Sequence, residues 1–339
     1  MDQTLLARAH ANGLGEGAGS VAEAVRRVVA LQAQDLRANR LAVRVRTEGL
    51  GADDVDAACA RREVVRTWAM RGTLHMLAAD DFHWVTGLLG PYFAARQSPR
   101  RRQLGLDDAT CDRVCEQLET VLAEGALTRA EIVERMDLPL PGQAAPYLLG
   151  YAALTGLVCR GADRGDEPTY VPVRDWLGES TDTGDEARLA ERYLAGHGPA
   201  TAEDLAAWSG LPLGRARKGF DAVAERFDAV EAAGVPSRWT PVEATPSTRL
   251  LGHFDAYLLG YRGRELAVPA ELAGEIQSGG GFVMPAIAVD GRVVGTWRQR
   301  STKDKINLEL THSGDGVEGE VADLGRFLQR PVETHPVTD

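Results

Sequence analysis

Helical stretches that close on a β-hairpin recur along this chain, and that order limits the folds open to it. Ser20-Val-Ala-Glu23 reads as a capping box, in which hydroxyl and carboxylate satisfy each other's unpaired backbone N–H groups. The helix it opens is expected to run through the apolar stretch 21–31, with Val21, Val25 and Val28 on one face. Helices over 40–46 and 53–61 should follow. Residues 64–68 and 72–77 then read as strands around Met70-Arg71-Gly72, and 81–96 as a helix leaving the unit.

The second recurrence is clearer. A helix over 108–123 repeats Val114, Leu118 and Val121 on one face, and Thr128-Arg-Ala-Glu131 is another capping box, starting a short helix to Met136. Pro139 and Pro141 break the chain. A helix over 143–155 leads to a hairpin of 157–160 and 169–172. The third recurrence has helices over 185–195, 202–208 and 213–223, a His197-Gly198-Pro199 turn, and a strand over 227–232. A small helical bundle followed by a hairpin is the order of a winged helix. Three of them without a strict sequence period define modules over 1–100, 101–178 and 179–339. The expected class is therefore mainly α with β-hairpin wings (α+β), in three tandem winged-helix modules. Beyond Pro246 the chain turns β-rich, with strands over 249–257, 283–289, 292–298 and 306–310 and a hairpin turned by Asp290-Gly291. The Pro- and Thr-rich tail from Arg330 is expected to fray.

Bulk properties exclude several classes. No run of about 18 apolar residues suggests a membrane span, and Met1-Asp2-Gln3-Thr4 lacks the regions of a signal peptide. A cytoplasmic location follows as the expectation. Cys59, Cys111, Cys115 and Cys159 form no C-x-x-C pair, so reduced thiols are expected and no metal. The formal net charge of −11 argues against nucleic acid, but the local field matters more than the total. Arg37, Arg40, Arg44 and Arg46 lie in an acid-free stretch. Arg96, Arg100, Arg101 and Arg102 form a second cluster, and Arg292, Arg298, Arg300, Lys303 and Lys305 a third. A GC-rich genome would also enrich Arg, so the clusters alone leave both readings open.

Nucleotide-binding glycine loops and H-E-x-x-H are missing, and Gly279-Gly280-Gly281 opens no helix that could cradle a phosphate. Strand alternation puts Thr73 and His75 on one face, where a hydrogen-bonded structural histidine competes with a contact role. Leu31-Gln32-Ala33-Gln34-Asp35 is more specific. A carboxamide is uncharged at every working pH, yet it can hold a water through its C=O and NH2 groups. Ordinary polar residues at a helix end are the alternative. Geometry separates the two. In a continuous helix residues two apart diverge, whereas in an extended stretch they face the same side. Shared work by Gln32 and Gln34 thus requires the helix to end or distort near Gln32.

Four strings carry a resemblance. They are Leu31-Gln32-Ala33-Gln34-Asp35, the segment from Arg66 through Trp68 and Met70-Arg71-Gly72 to His75, Phe254-Asp255-Ala256-Tyr257-Leu258-Leu259-Gly260-Tyr261, and Gly291-Arg292-Val293-Val294-Gly295-Thr296-Trp297. With these in this order, the chain resembles the AlkZ-like bacterial DNA glycosylases. The resemblance implies three winged helices in a C-shaped body with a concave DNA face, and a Gln-aliphatic-Gln catalytic motif that falls on Gln32, Ala33 and Gln34. It implies an enzyme that excises bulky N7-alkylguanine adducts or unhooks interstrand crosslinks, linked to self-resistance against DNA-alkylating natural products. No lysine lies near the motif, which disfavours a Schiff-base lyase, so a monofunctional glycosylase is expected. No cofactor is expected. The partner would be duplex DNA carrying an alkylated guanine, bound by a monomer. DNA contacts are expected from Arg37 and Arg40 after the motif, from Arg71, Thr73 and His75 in the first wing, and from Arg292, Arg298 and Arg300 around the Asp290-Gly291 hairpin. Asp35 reads better as a helix cap or salt-bridge partner than as a catalyst. A DNA-binding regulator without catalysis and a protein that shields a lesion without cutting it are the rival readings, because fold does not fix function.

Overall fold

The computed structural model describes residues 2–136, 142–165, 167–232, 235–239, 243–302, 304–314 and 316–336. The expected break at Pro139 and Pro141, and Lys303, lie outside them. The fold is mixed α+β. The chain forms two compact units, one of residues 1–55 with 186–339 and one of residues 56–185. No described helix is long and apolar enough to cross a membrane.

Within 56–185, strands Val64–Trp68 and Leu74–Ala78 pair antiparallel, with Thr67 opposite His75. Helix Phe82–Gln103 follows. The next helix is Asp108–Val121, and Thr128 and Glu131 make the expected reciprocal cap on Arg129–Arg135. Ala144–Leu154 then leads into the hairpin Val158–Arg160 and Thr169–Pro172. The two hairpins, expected as wings of separate modules, join edge to edge through the pair Arg66–Arg160. Arg66 is buried there against Asp163 at 2.8 Å. The core is the apolar stripe read from the sequence: Cys111, Val114 and Leu118 pack with Ile132, Leu148, Leu149 and Ala152. Gly90 is required for the close crossing of two of these helices, because a Cβ there would overlap the Leu154 carbonyl oxygen.

The other unit contains helices Gln3–Ala11, Val21–Arg27 and Leu36–Arg44, then Glu186–His197, Ala202–Ser209 and Leu213–Ala222. Strands Asp228–Ala232 and Val235–Trp239 pair antiparallel after them. A five-stranded sheet closes the chain. Its order is Val332–Pro336, Ile306–Leu310, Arg292–Ser301, Ala286–Val289, Thr248–Leu251. Leu250, Ile287, Trp297, Ile306 and Leu308 fill one side, covered by Leu41 and by Val317 and Leu324 of helix Val317–Leu328.

Three expectations fail here. The described part of the tail does not fray. Val332–Pro336 pairs in parallel with Ile306–Leu310, so backbone hydrogen bonding outweighs a Pro- and Thr-rich composition. The strand expected over 249–257 stops at Leu251, because Asp255 caps a short helix, Ala256–Leu259, and Phe254 takes a φ of 55°. Helix Val21–Arg27 ends four residues before Leu31. Val28, Val29 and Leu31 are buried whichever way they point, and such an all-round apolar run has no solvent face on which to continue a surface helix.

Candidate active site

Ser20 caps helix Val21–Arg27 by accepting from the Glu23 N–H at 3.2 Å. The helix stops where Val29 enters the left-handed region at φ 66°. Ala30–Gln32 is then extended. Alternation sends Leu31 and Ala33 inward, at 0% and 1% exposure, and leaves half-buried Gln32 and exposed Gln34 on the other side. The two carboxamides meet: Gln32 Nε2 donates to Gln34 Oε1 at 2.8 Å. Their backbone is also held. Buried Asn39 donates from Nδ2 to the Gln32 carbonyl at 3.1 Å. Asp35 Oδ1 accepts from the N–H groups of Arg37 at 2.8 Å and Ala38 at 3.1 Å, which makes Asp35 the N-cap of helix Leu36–Arg44. The geometric condition for joint action by the two glutamines is met, with the helix ending earlier than expected.

Two arginines of the acid-free cluster have structural work. Arg44 is 1% exposed, with Nη2 at 2.9 Å from Glu320 and Nη1 at 2.8 Å from Asp323. Arg46 and Asp255 are both fully buried and form a bidentate pair at 2.8 and 2.9 Å. Asp255 Oδ1 also accepts from the Tyr257 N–H at 2.9 Å. This clamp ties the segment starting at Phe254 to the helix that follows the glutamines. Gly252 completes the junction, since a Cβ there would press on Leu41 Cβ at 3.1 Å. Helix Ala256–Leu259 packs against Ala30–Gln32. Asn39 and Asp255 were not singled out from the sequence. The lack of local acids for so many arginines was the one available signal.

Of the residues expected to meet DNA, Arg37 is exposed and Arg40 half-buried on the helix after the motif. Arg292, Arg298 and Arg300 are exposed, but they do not share a turn. Asp290 and Gly291, with φ of 50° and 81°, make the expected tight hairpin. That turn is tucked in: Gly291 is buried and its carbonyl accepts from Tyr257 Oη at 2.7 Å. Arg298 and Arg300 stand six and eight residues further along strand Arg292–Ser301, roughly 20–26 Å from Arg292 along the strand at about 3.3 Å per residue. They belong to a second hairpin, in which Arg298 faces Glu309 and Arg300 faces Asn307. Arg300 Nε also stands 3.5 Å from Glu309.

Arg71, Thr73 and His75 lie in the other unit. Arg71 has a φ of 56° in a turn between the two strands. Thr73 Oγ1 donates to the Met70 carbonyl at 3.1 Å. His75 is 2% exposed. Its Nδ1–H donates to the Thr73 carbonyl at 2.9 Å, which leaves Nε2 as the acceptor facing Arg71 Nη2 at 3.4 Å. Burial, reinforced by the Arg71 charge and opposed by the Thr73 bond, pushes the His75 pKa down to about 3. His75 is therefore a neutral, buried support for Arg71.

No three His, Cys, Asp or Glu groups converge as a metal set among the described residues. A cleft of about 1060 Å³ lies within residues 56–185, beside Thr86, Glu119 and Arg174, and none of the expected site residues lines it. Among the expected site residues, the structure brings half-buried Gln32 and exposed Gln34 together as a hydrogen-bonded pair of neutral amides.

A family profile described as "DNA glycosylase AlkZ-like" matches residues 25–330, which include both glutamines and four of the five strands of the C-terminal sheet. The chain belongs to the AlkZ-like DNA glycosylase family. By that membership it is an enzyme, a DNA glycosylase. A relative from Streptomyces sahachiroi, "Interstrand DNA cross-link repair glycosylase", is 28% identical over 304 residues, which cover 82% of each chain. The fold also matches that of "Streptomyces sahachiroi DNA glycosylase AlkZ", with a TM-score of 0.80 at 24% identity, over 99% of this chain and 100% of the other.

Proposed function

We propose that this AlkZ-like enzyme is a monofunctional glycosylase that hydrolyses the N-glycosidic bond of bulky N7-alkylguanine in duplex DNA, with Gln32 and Gln34 holding the nucleophilic water. The observation that carries the reading is the 2.8 Å bond between the two carboxamides on the exposed side of an extended segment. Each amide oxygen has two lone pairs. The Gln32–Gln34 bond uses one lone pair of Gln34 Oε1. A water that donates one hydrogen to each amide oxygen turns its own lone pair outward, toward C1′ of a docked sugar.

Neutral amides suit this substrate. Alkylation at N7 gives the guanine a positive charge. As the C1′–N9 bond breaks, its electron pair stays on N9 and the base leaves neutral, so no general acid is required. C1′ becomes oxocarbenium-like, and the amide oxygens present fixed partial negative charge to it. The water oxygen then bonds to C1′, its proton passes to solvent, and an abasic site remains. No lysine adjoins the motif in sequence, so no Schiff base is invoked.

Arg37, Arg40, Arg71, Arg292, Arg298 and Arg300 would hold the phosphates, which sets register without reading sequence. Thr73 and His75 would act behind Arg71. Three winged-helix modules over 1–100, 101–178 and 179–339 are the proposed framework. The name of the Streptomyces sahachiroi relative, "Interstrand DNA cross-link repair glycosylase", supports bridging adducts among the substrates. Self-resistance to an alkylating natural product is the setting we propose.

The test is incubation of the protein with duplexes carrying N7-methylguanine, a bulky N7 adduct, or an N7–N7 crosslink. Release of the alkylated base with an alkali-labile abasic site is the expected result. Tight binding without release from any of the three would leave a lesion-binding protein and end the hydrolytic reading.

A further inference from the structure

In the unit that holds the glutamines the structure carries an aromatic feature that water positioning does not use. Phe282 is 54% exposed, and no other large apolar side chain is exposed among the described residues. It follows three glycines with φ of 94°, 60° and 81°. No atom lies within 4 Å of where a Cβ would sit on Gly279 or Gly281, so the loop stands in open solvent. The Phe282 ring leans on Phe254, with centroids 5.4 Å apart and planes at 43°. His253 continues the strip at 6.2 Å from Phe254.

Phe254 is itself held in a strained conformation. Its φ of 55° is unfavourable for an aromatic residue and needs surrounding structure to enforce it. Two anchors do so: its N–H donates to the Val283 carbonyl at 3.1 Å, and the next residue is Asp255, clamped on Arg46. Two residues before Phe254, Gly252 packs on Leu41 and lies near the Ala38 carbonyl, in the first turn of the helix that starts after Gln34. The strip therefore adjoins, through Gly252, the helix that starts after Gln34.

We propose that Phe282 is a stacking residue for DNA, taking the face of an aromatic group unstacked at the lesion, with the glycines supplying the travel its ring needs. The group is a nucleobase next to the alkylated guanine or the aromatic part of the adduct itself. Every nucleobase offers a π-face, and an apolar ring left in water gains most when it covers one. The assignment rests on the reading of Gln32 and Gln34 as the place of base release.

The test compares wild-type protein with Phe282→Ala, Phe282→Leu and Phe282→Trp in the full chain. Equilibrium binding and single-turnover base release are measured on a duplex with N7-methylguanine and on one with a bulky aromatic N7 adduct. Phe282→Ala should lose about 5- to 100-fold in affinity or rate. Phe282→Trp should stay within about threefold of wild type, and Phe282→Leu should fail like Ala, because its side chain is apolar but has no π-face. Loss on both duplexes identifies a nucleobase as the partner, and loss confined to the aromatic adduct identifies the adduct. Ala within twofold of wild type on both duplexes, or Leu as good as Phe, overturns the proposal. If wild type releases no base yet Phe282→Ala still weakens lesion binding, the hydrolytic reading fails and the stacking role stands.

Discussion

Removing the glutamines one at a time and then together gives the sharpest test of a shared water. The Gln32–Gln34 bond is exposed, so solvent replaces it when either side chain is cut back, and stability should change by less than about 1 kcal/mol. The rate should respond far more. In the proposed arrangement each amide oxygen would hold one hydrogen of the same water, and losing either would free the water to rotate. Gln32→Ala and Gln34→Ala should each slow base release by 10- to 100-fold, about 1.4–2.8 kcal/mol of transition-state stabilisation. Once one amide is gone the second has little left to orient, so the double variant should stay within about threefold of the slower single one. That corresponds to a coupling energy of at least about 0.7 kcal/mol, in the range found for residues acting on one group. The assay is single-turnover release at saturating enzyme, so that the chemical step is read apart from binding, with thermal unfolding as the control for folding. Penalties that multiply in the double variant would refute the shared water. So would retained activity in both single variants.

Three further outcomes follow from the same geometry. Asp255→Ala strands the fully buried Arg46 guanidinium and should cost about 3–5 kcal/mol in urea unfolding, while Arg46→Met with Asp255→Leu should recover much of that loss. DNA affinity should fall linearly with salt on logarithmic axes, and Arg37→Ala and Arg298→Ala should each flatten the slope by about one; unchanged slopes would remove these residues from the phosphate contacts. Burial lowers the pKa of both His75 and His197 to about 3, so the folded protein keeps them neutral while the unfolded chain protonates them near pH 6.5. The unfolded state then binds more protons between pH 6.5 and 3, and stability should fall as pH drops through that window, more shallowly in His75→Gln; parallel curves would contradict the assignment.

Much of the fold was legible because its signals are local. The Thr128–Glu131 box, the stripe of Val114 and Leu118, and the Asp290-Gly291 turn are each set by neighbours within a few residues, and each appears where expected. The extended placement of Gln32 and Gln34 was legible only as a condition. What decides it is burial of Val28, Val29 and Leu31 by tertiary neighbours, which periodicity does not report. Long-range electrostatics were least visible. Arg44 and Arg46 look like part of a basic patch in sequence, yet their partners Glu320, Asp323 and Asp255 are more than 200 residues away. Helix Val317–Leu328 turns two of its acids, Glu320 and Asp323, onto Arg44. Nothing in the spacing of Arg292, Arg298 and Arg300 separates one turn from two.

The break before the glutamines explains how a fold can present two neutral amides side by side. At about 100° per residue, a helix continued through Leu36 would set Gln32 and Gln34 about 200° apart around its axis. Leaving the helix requires Val29 to adopt φ 66°, which costs a β-branched residue about 1–3 kcal/mol. Burying Val28, Val29 and Leu31 completely stabilises the folded chain by about 1.5–3 kcal/mol for each side chain, enough to hold that turn. The Asp35 cap and the Asn39 bond to the Gln32 carbonyl then restart the helix at Leu36 and fix the register between the two amides. Strain at Val29, capping by Asp35 and burial of Leu31 and Ala33 thus act on one short segment. Their joint result is that two side chains two residues apart point the same way, which is the geometry a water bridged by two amides requires.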